Sequence, residues 1–343
     1  MKHHLNTLFV TTPRAYLRRE GESVLVRVEN ETRLRTPIHH LGAIVTFGSI
    51  GFSPSLLELC ATRGVSVSFL KETGRFMANV VGPQSGNVLL RRTQFETADD
   101  EAAALPLAKS FVLGKIANTR IVLLRAAREA TNASKRESIG SCAKRLGFVL
   151  NDVEQVGSLD GLRGLEGDAA RTYFATFNDL ILLPDCGFAM NGRSRRPPLD
   201  PLNTLLSFLY TLLVLDARGA CEAVGLDPQV GFLHALRPGR PSLALDLIEE
   251  LRPFLADRLA LSLINRKQLV ARDFQKQEAG GYLMTDDARK KVLVAYQKRK
   301  QETIMHSFIG ESTTIGLLVH LQARLLARHL RGELDAYPPF IAK

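Results

Sequence analysis

EAAALPLAKSFVLGKIANTRIVLLRAAREA, residues 101–130, is where the chain changes character. It is rich in Ala, Leu, Arg and Glu, which are good helix formers, and its apolar residues recur at helical spacing. Downstream, 166–183, 202–224, 242–265 and 311–331 repeat that pattern. Upstream the pattern is different. AYLRREGESVLVRVE holds two alternating segments around Glu20-Gly21-Glu22, a hairpin signal. Strand-like runs follow in IHHLGAIVTFG, VSVSFL and, after the turn residues KETG, RFMANVVG. One short helix interrupts them, SPSLLELCATRG, with Ser53 as N-cap, Pro54 after it and Gly64 at its end. The class is therefore α+β. We expect a small N-terminal β-rich domain over 1–86, a linker over 87–100, and a larger all-α helical domain over 101–343, with no internal repeat.

At 343 residues the chain can bury a sizeable core and form more than one domain. Its 45% apolar content describes a globular protein. A net charge of +10 makes an acidic partner the first expectation, with nucleic acid the commonest. The start, MKHHLNTLFV, lacks the apolar run and cleavage site of a secretory signal. The most apolar run, Leu202 to Leu215, is interrupted by Asn203, Thr204, Ser207 and Thr211 and is too short to span a bilayer. It reads as a buried helix, so no membrane partner is expected. Cys60, Cys142, Cys186 and Cys221 have no paired spacing, which suggests neither zinc nor a disulfide framework. A cytoplasmic location fits best.

Chemistry concentrates in GFLHALRPGRPSLALDLIEELRP, residues 231–253. On a helix Asp246 shares a face with Glu249 and Glu250, beside Leu243, Leu247 and Leu251, with Ser242 as N-cap. At least one acid should then sit at the edge of the apolar surface. A carboxylate near a core needs hydrogen bonds, a cation or a metal to offset lost hydration. One reading pairs Asp246 or Glu249 with Arg237, Arg240 or Arg252, and makes His234 structural. Another adds Glu166, from the glycine-spaced turn that opens a helix in LRGLEGDAARTYFATF. There the plain alternative is an acid favoured by a helix start. If Glu166 faces the His234 loop, one imidazole and several carboxylates meet, and such an oxygen-rich set suits Mg or Mn and phosphodiester chemistry.

These segments together resemble the CRISPR-associated endonuclease and integrase family, the universal adaptation protein Cas-one, and most closely its type I-C branch. The likeness covers essentially the whole chain. It rests on LEGDAARTYF, RSRRPPLDPLNTLLSFLYTLL, GFLHALRPGRPSLALDLIEELRP and LQARLLARHLRGELDAYPPF, in that order. It implies a β domain followed by a helical domain, and a homodimer that assembles with the small partner Cas-two into a heterohexamer. It implies capture of short double-stranded DNA and its insertion beside the leader and repeat as a new spacer. Carried over, the metal set becomes Glu166, His234 and Glu249, with Asp246 supporting the site and Arg252 a basic residue close to the metal. The implied reaction is transesterification by a DNA 3′-hydroxyl, needing no covalent intermediate.

DNA contacts are expected from Arg193, Arg195 and Arg196 in NGRSRRPP, with Asn203 as a polar support, and from Arg237, Arg240 and Arg252 around the His234 loop. Arg289, Lys290, Lys291, Lys298, Arg299 and Lys300 read as a solvated helix face, and His306 as a histidine that could approach DNA or the site. His3, His4, His39 and His40 read as structural or exposed. Ser141 and Lys144 lack the companion motifs of a penicillin-binding enzyme, and no phosphate loop or dinucleotide fingerprint exists. Two rivals stand beside the integrase: a stand-alone transposase-like integrase, disfavoured because the chain ends soon after Tyr337-Pro338-Pro339, and a non-catalytic DNA-binding scaffold.

Overall fold

The computed structural model describes residues 6–80, 82, 88–183, 186–278 and 280–342. The N-terminal part comprises β1 (Asn6–Val10), β2 (Tyr16–Glu20), β3 (Ser23–Val28), β4 (Glu31–Pro37), β5 (Leu41–Phe47), β6 (Gly51–Phe52), α1 (Pro54–Arg63), β7 (Ser66–Leu70) and β8 (Phe76–Val80). They form two four-stranded sheets, ordered β4-β3-β2-β6 and β1-β5-β7-β8. The hairpin expected around Gly21 pairs Glu20 with Ser23, and Gly21 takes a positive φ of 57°. α1 begins and ends where the sequence indicates. The Ser53 hydroxyl accepts from the Leu56 N–H at 3.3 Å, Pro54 opens the first turn, and Gly64 closes the helix in the left-handed region. Leu17, Ile44, Leu56, Cys60 and Val67 bury together, so this part has its own core. β4 shows no apolar alternation because it is an edge strand whose Arg33, Leu34 and Arg35 are all exposed.

The helical part comprises α2 (Val88–Asp99), α3 (Glu101–Glu129), α4 (Ala133–Gln155), α5 (Leu159–Thr176), α6 (Pro201–Val224), α7 (Ser242–Glu249), α8 (Arg258–Asn265), α9 (Asp286–Gln301) and α10 (Leu318–Leu330), with a π-helical turn over Arg252–Asp257. It is not all helical. Two short hairpins, β9 (Phe274–Lys276) with β10 (Tyr282–Met284) and β11 (Thr303–Met305) with β12 (Ser312–Thr314), interrupt it. Nor is 87–100 a linker. From Val88 onward it is α2, held by buried Leu90 and by Gln94, whose side-chain N–H groups reach the carbonyls of Asp227 and Val230 at 2.9 and 2.7 Å. The boundary at Gly86 and the residues His3 and His4 lie outside the described residues.

α6 runs through the centre of the molecule. Its 24 residues are long and apolar enough to cross a membrane by length and composition, a longer span than the apolar run alone suggests. Leu202, Leu205, Leu206 and Leu209 are nevertheless fully buried in the shared core with α7 and α10. The charges of α9 are only partly solvated. Arg289 is buried, bonds the Glu72 carbonyl and lies over the Phe47 ring, while Lys300 is buried with Asp216 at 2.8 Å. These groups tie α9 to the β part and to α6. His306 is buried: its Nε2 lies 3.0 Å from Gln322 Oε1, and its Nδ1 accepts from the Phe308 and Ile309 N–H groups. Burial lowers its pKa.

Candidate active site

Asp246 organises the site. It is fully buried on α7, and its carboxylate accepts four N–H groups from the loop that precedes that helix. Oδ2 takes the Phe232 and Leu233 amides at 2.7 and 3.1 Å. Oδ1 takes the His234 amide at 3.0 Å and lies 2.6 Å from His234 Nδ1. That wrapping requires Gly231, because a Cβ there would stand 2.6 Å from Asp246 Oδ2 and 2.7 Å from the Ser242 carbonyl carbon. Ser242 is not the N-cap of α7. It is the first helical residue, and its hydroxyl donates to the Ala235 carbonyl at 3.1 Å, closing the same loop. With the Nδ1 proton directed at Asp246, the Nε2 lone pair of His234 faces inward.

Nε2 faces Glu249, whose Oε1 lies 3.8 Å away. All three acids of α7 and its end are buried against other protein and kept from open water. Glu249 is kept ionised by cations. Burial alone would raise its carboxyl, but Arg252 and then Lys115 outweigh that and hold it below the usual range. Arg252 Nη1 is 2.7 Å from Oε1, and Lys115 Nζ is 2.7 Å from Oε2. The ion pair to Arg252 that the sequence allows therefore forms beside the histidine, not instead of it. The neighbouring Glu250 points the opposite way into the core. It accepts from Tyr337 at 2.5 Å, the Phe340 amide at 2.6 Å and Gln322 at 2.8 Å, pinning the C-terminal segment against α3.

Glu166 enters from α5. The helix starts at Leu159, with the Ser158 hydroxyl accepting the Gly161 N–H, so Glu166 lies in its interior and not at its opening. A helix-start role is thereby removed. Glu166 bonds Lys115 Nζ, which thus bridges the carboxylates of Glu166 and Glu249. Burial would lower the Lys115 pKa, but the two glutamates more than compensate and raise it. The preceding Gly114 lets α3 approach this closely, since a Cβ there would meet Glu250 Cγ at 2.9 Å. Lys115 was not foreseen, although it is the only charge between Lys109 and Arg120.

The set opens onto a cavity of about 290 Å³ lined by Glu166, His234 and Glu249 together with Arg163, Arg195, Arg237, Arg240 and Arg252. Glu166 and His234 keep 27% and 20% of their side-chain exposure while Glu249 keeps 2%, so access is from the Glu166 and His234 side. Burial and the neighbouring Arg237 lower the Arg240 pKa, a mark of crowded positive charge. Arg163 is a further residue the sequence reading passed over. Its Nε donates to the Leu233 carbonyl at 2.8 Å, and it precedes Glu166 by three positions on one helix. Arg193 is not on the cavity wall. Its guanidinium bonds Asn203 at 2.6 Å and Ser207 at 3.2 Å and stacks over Phe174 and Tyr210, so it supports the fold. Asn203 is the polar support expected of it. Arg196 is exposed on the same loop but does not line the cavity.

Fold and site together define a class: a β-rich domain joined to a helical domain that holds carboxylates and an imidazole beneath an arginine rim. Comparison with known proteins makes it specific. The family described as "CRISPR associated protein Cas1" matches residues 8–298. A Rhodospirillum rubrum protein named CRISPR-associated endonuclease Cas1 2 is 52% identical over 347 residues, covering all of both chains. A Chlorobaculum tepidum protein named CRISPR-associated endonuclease Cas1 1 is 50% identical over 341 residues, 99% of each. Among solved structures, "Casposase bound to integration product" superposes with a TM-score of 0.82 at 22% identity, over 96% of this chain and 92% of that one. "Cas6-RT-Cas1--Cas2 complex" does so at 0.81 and 22%, over 99% of this chain and 37% of that one. The chain belongs to the Cas1 family of CRISPR-associated endonucleases.

Proposed function

We propose that this protein joins short DNA fragments into a CRISPR array as new spacers, and that it does so with a divalent Mg or Mn ion held by Glu166, His234 and Glu249. The observation that carries the metal reading is the pair of inward-facing acceptors. His234 Nε2 and Glu249 Oε1 stand 3.8 Å apart, and Glu249 Oε2 is met by the Lys115 ammonium at 2.7 Å, where a cation already sits. Among the described residues no group of three His, Cys, Asp or Glu side chains is already drawn together as ligands, because Lys115 stands between the two glutamates. The donor set still fits a hard cation with one nitrogen ligand.

Such an ion would supply Lewis acidity at a phosphodiester and lower the pKa of an attacking hydroxyl. The chain does the rest. Asp246 fixes the His234 tautomer so that Nε2 presents a lone pair. Arg252, held by Glu249, and Arg240, on the cavity wall, balance the charge that grows on the phosphoryl oxygens. Arg163, Arg195 and Arg237 hold the DNA backbone at the rim without reading sequence. A DNA 3′-hydroxyl as nucleophile gives strand transfer, and water gives nuclease activity. The reading includes double-stranded DNA and Cas2 as partners, a homodimer assembling into a heterohexamer, and a cytoplasmic location. It is tested by incubating a short labelled duplex, purified Cas2 and a supercoiled plasmid bearing leader and repeat, with Mn or Mg against EDTA. Label joined to plasmid only with metal supports the reading. No joining, with no Mn binding by calorimetry, would leave a non-catalytic scaffold.

A further inference from the structure

Lys115 occupies the position a cation would take. Its ammonium contacts Glu166 and Glu249 at once, its side chain is almost fully enclosed, and α3 is held close by the Gly114 contact with Glu250. The two glutamates are already matched by cations in contact with them, and Arg163, Arg195, Arg237 and Arg240 add positive charge around the cavity. Lys115 and Arg252 supply two positive charges against the carboxylates of Glu166 and Glu249. A divalent ion added between the glutamates would then stand against two cations at contact distance, an arrangement like-charge repulsion opposes. Arg252 and Lys115 line the same second cavity, but the Arg252 guanidinium also lies over the Tyr210 ring at 5.0 Å, which makes the slimmer Lys115 side chain the one to move. That cavity is small, about 30 Å³, room for about one water, and its wall includes Tyr173, Tyr210 and the buried carboxyl of Asp257.

We propose that Lys115 is an exchangeable internal cation: it holds Glu166 and Glu249 in place in the metal-free protein, and a divalent ion enters only by displacing its ammonium from between them. The side chain withdraws toward the cavity bounded by Tyr210 and Asp257. The device keeps the glutamates from repelling one another before metal arrives, and it sets the metal affinity lower than the bare ligand set would give. Lys115 thereby acts as a positioning residue and not as a ligand. The inference rests on the proposed metal site.

The test is Mn²⁺ titration by calorimetry on the full-length protein, comparing wild type with Lys115→Met, with thermal unfolding in EDTA alongside. Lys115→Met should bind Mn²⁺ about tenfold more tightly or better, a change of about 1.4 kcal/mol. It should also unfold at a lower temperature than wild type in EDTA, and the difference should shrink once Mn²⁺ is added. Equal or weaker binding by the variant overturns the exchange while leaving the metal site standing. Absence of binding by both proteins overturns the metal site as well, whereas binding by the variant alone supports the exchange in its strongest form. Should Lys115→Met not fold, wild type decides. Crystals of wild type should show the Lys115 ammonium bridging Glu166 and Glu249 in EDTA and moved off both after soaking in Mn²⁺. The same bridged position in both would overturn the proposal.

Discussion

Replacing Asp246 by Asn keeps shape and volume but removes one acceptor from a carboxylate that uses both oxygens twice. Oδ2 receives the Phe232 and Leu233 amides, and Oδ1 receives the His234 amide and Nδ1. An asparagine can meet only one of these pairs with its oxygen. Placing that oxygen toward the two backbone amides is the better choice, and its NH2 group then faces His234. The imidazole relieves the conflict by moving its proton to Nε2, so that Nδ1 accepts from the amide. The His234 backbone N–H is left facing a donor, which costs about 1–3 kcal/mol of stability. The same tautomer shift removes the lone pair from Nε2, the atom 3.8 Å from Glu249. Loss of this kind of support typically weakens metal affinity or activity by about 10–100-fold. Long-range ¹H–¹⁵N spectra of the imidazole report the tautomer in the metal-free protein, and calorimetry reports the Mn²⁺ Kd. An Asp246→Asn variant that keeps the proton on Nδ1 and binds Mn²⁺ as wild type does would refute the role given to Asp246.

Other expectations follow from the same structure. Arg237→Ala and Arg240→Ala should weaken DNA binding across all sequences, each reducing the slope of log K against log salt by about 0.9 if it meets one phosphate; fluorescence anisotropy over a salt series measures it. Arg193→Ala should leave that slope unchanged and instead lower stability by about 1–3 kcal/mol in urea titrations, since it removes the bonds to Asn203 and Ser207 and the packing against Phe174 and Tyr210. Burial holds the Glu250 carboxyl up to about 8, with Tyr337, Phe340 and Gln322 pulling partly against it. The native state thus keeps a proton that the unfolded chain releases near pH 4.5. The associated stability is complete below that value and is lost as pH rises through about 8. The unfolding temperature should fall between pH 6 and 9 in wild type, and Glu250→Gln should flatten that fall.

What the sequence showed and hid has physical causes. The change from a β-rich to a mainly helical part was legible because the apolar period changes from two to 3.6 near residue 101, and α1 because all its boundary signals agree. α2 was missed since its buried inner face includes Gln94, a residue no hydrophobic pattern marks, held by backbone carbonyls 133 and 136 positions away. α4 was overlooked although Ile139, Cys142, Ala143, Leu146, Val149 and Val153 keep helical spacing; Gly140, Gly147 and the intervening charges dilute it. At the site, Glu166, His234, Glu249 and Asp246 were marked by type and motif, and the chain brings all four together. Lys115 carried a weaker signal, one charge in an apolar helix, and its partners lie 51 and 134 positions away. Arg193 misled because a cluster of arginines reads as solvent-facing, while a planar guanidinium can also fill a gap between two rings.

The central claim is the location of the metal. Crystals soaked in Mn²⁺ and measured near the manganese absorption edge would show it directly. The account predicts one strong anomalous peak at the base of the arginine-rimmed cavity, about 2.0–2.3 Å from oxygens of Glu166 and Glu249 and from Nε2 of His234. Lys115 should be withdrawn from between the glutamates. A peak elsewhere, or an ordered Lys115 ammonium still bridging Glu166 and Glu249 at saturating Mn²⁺, would contradict it.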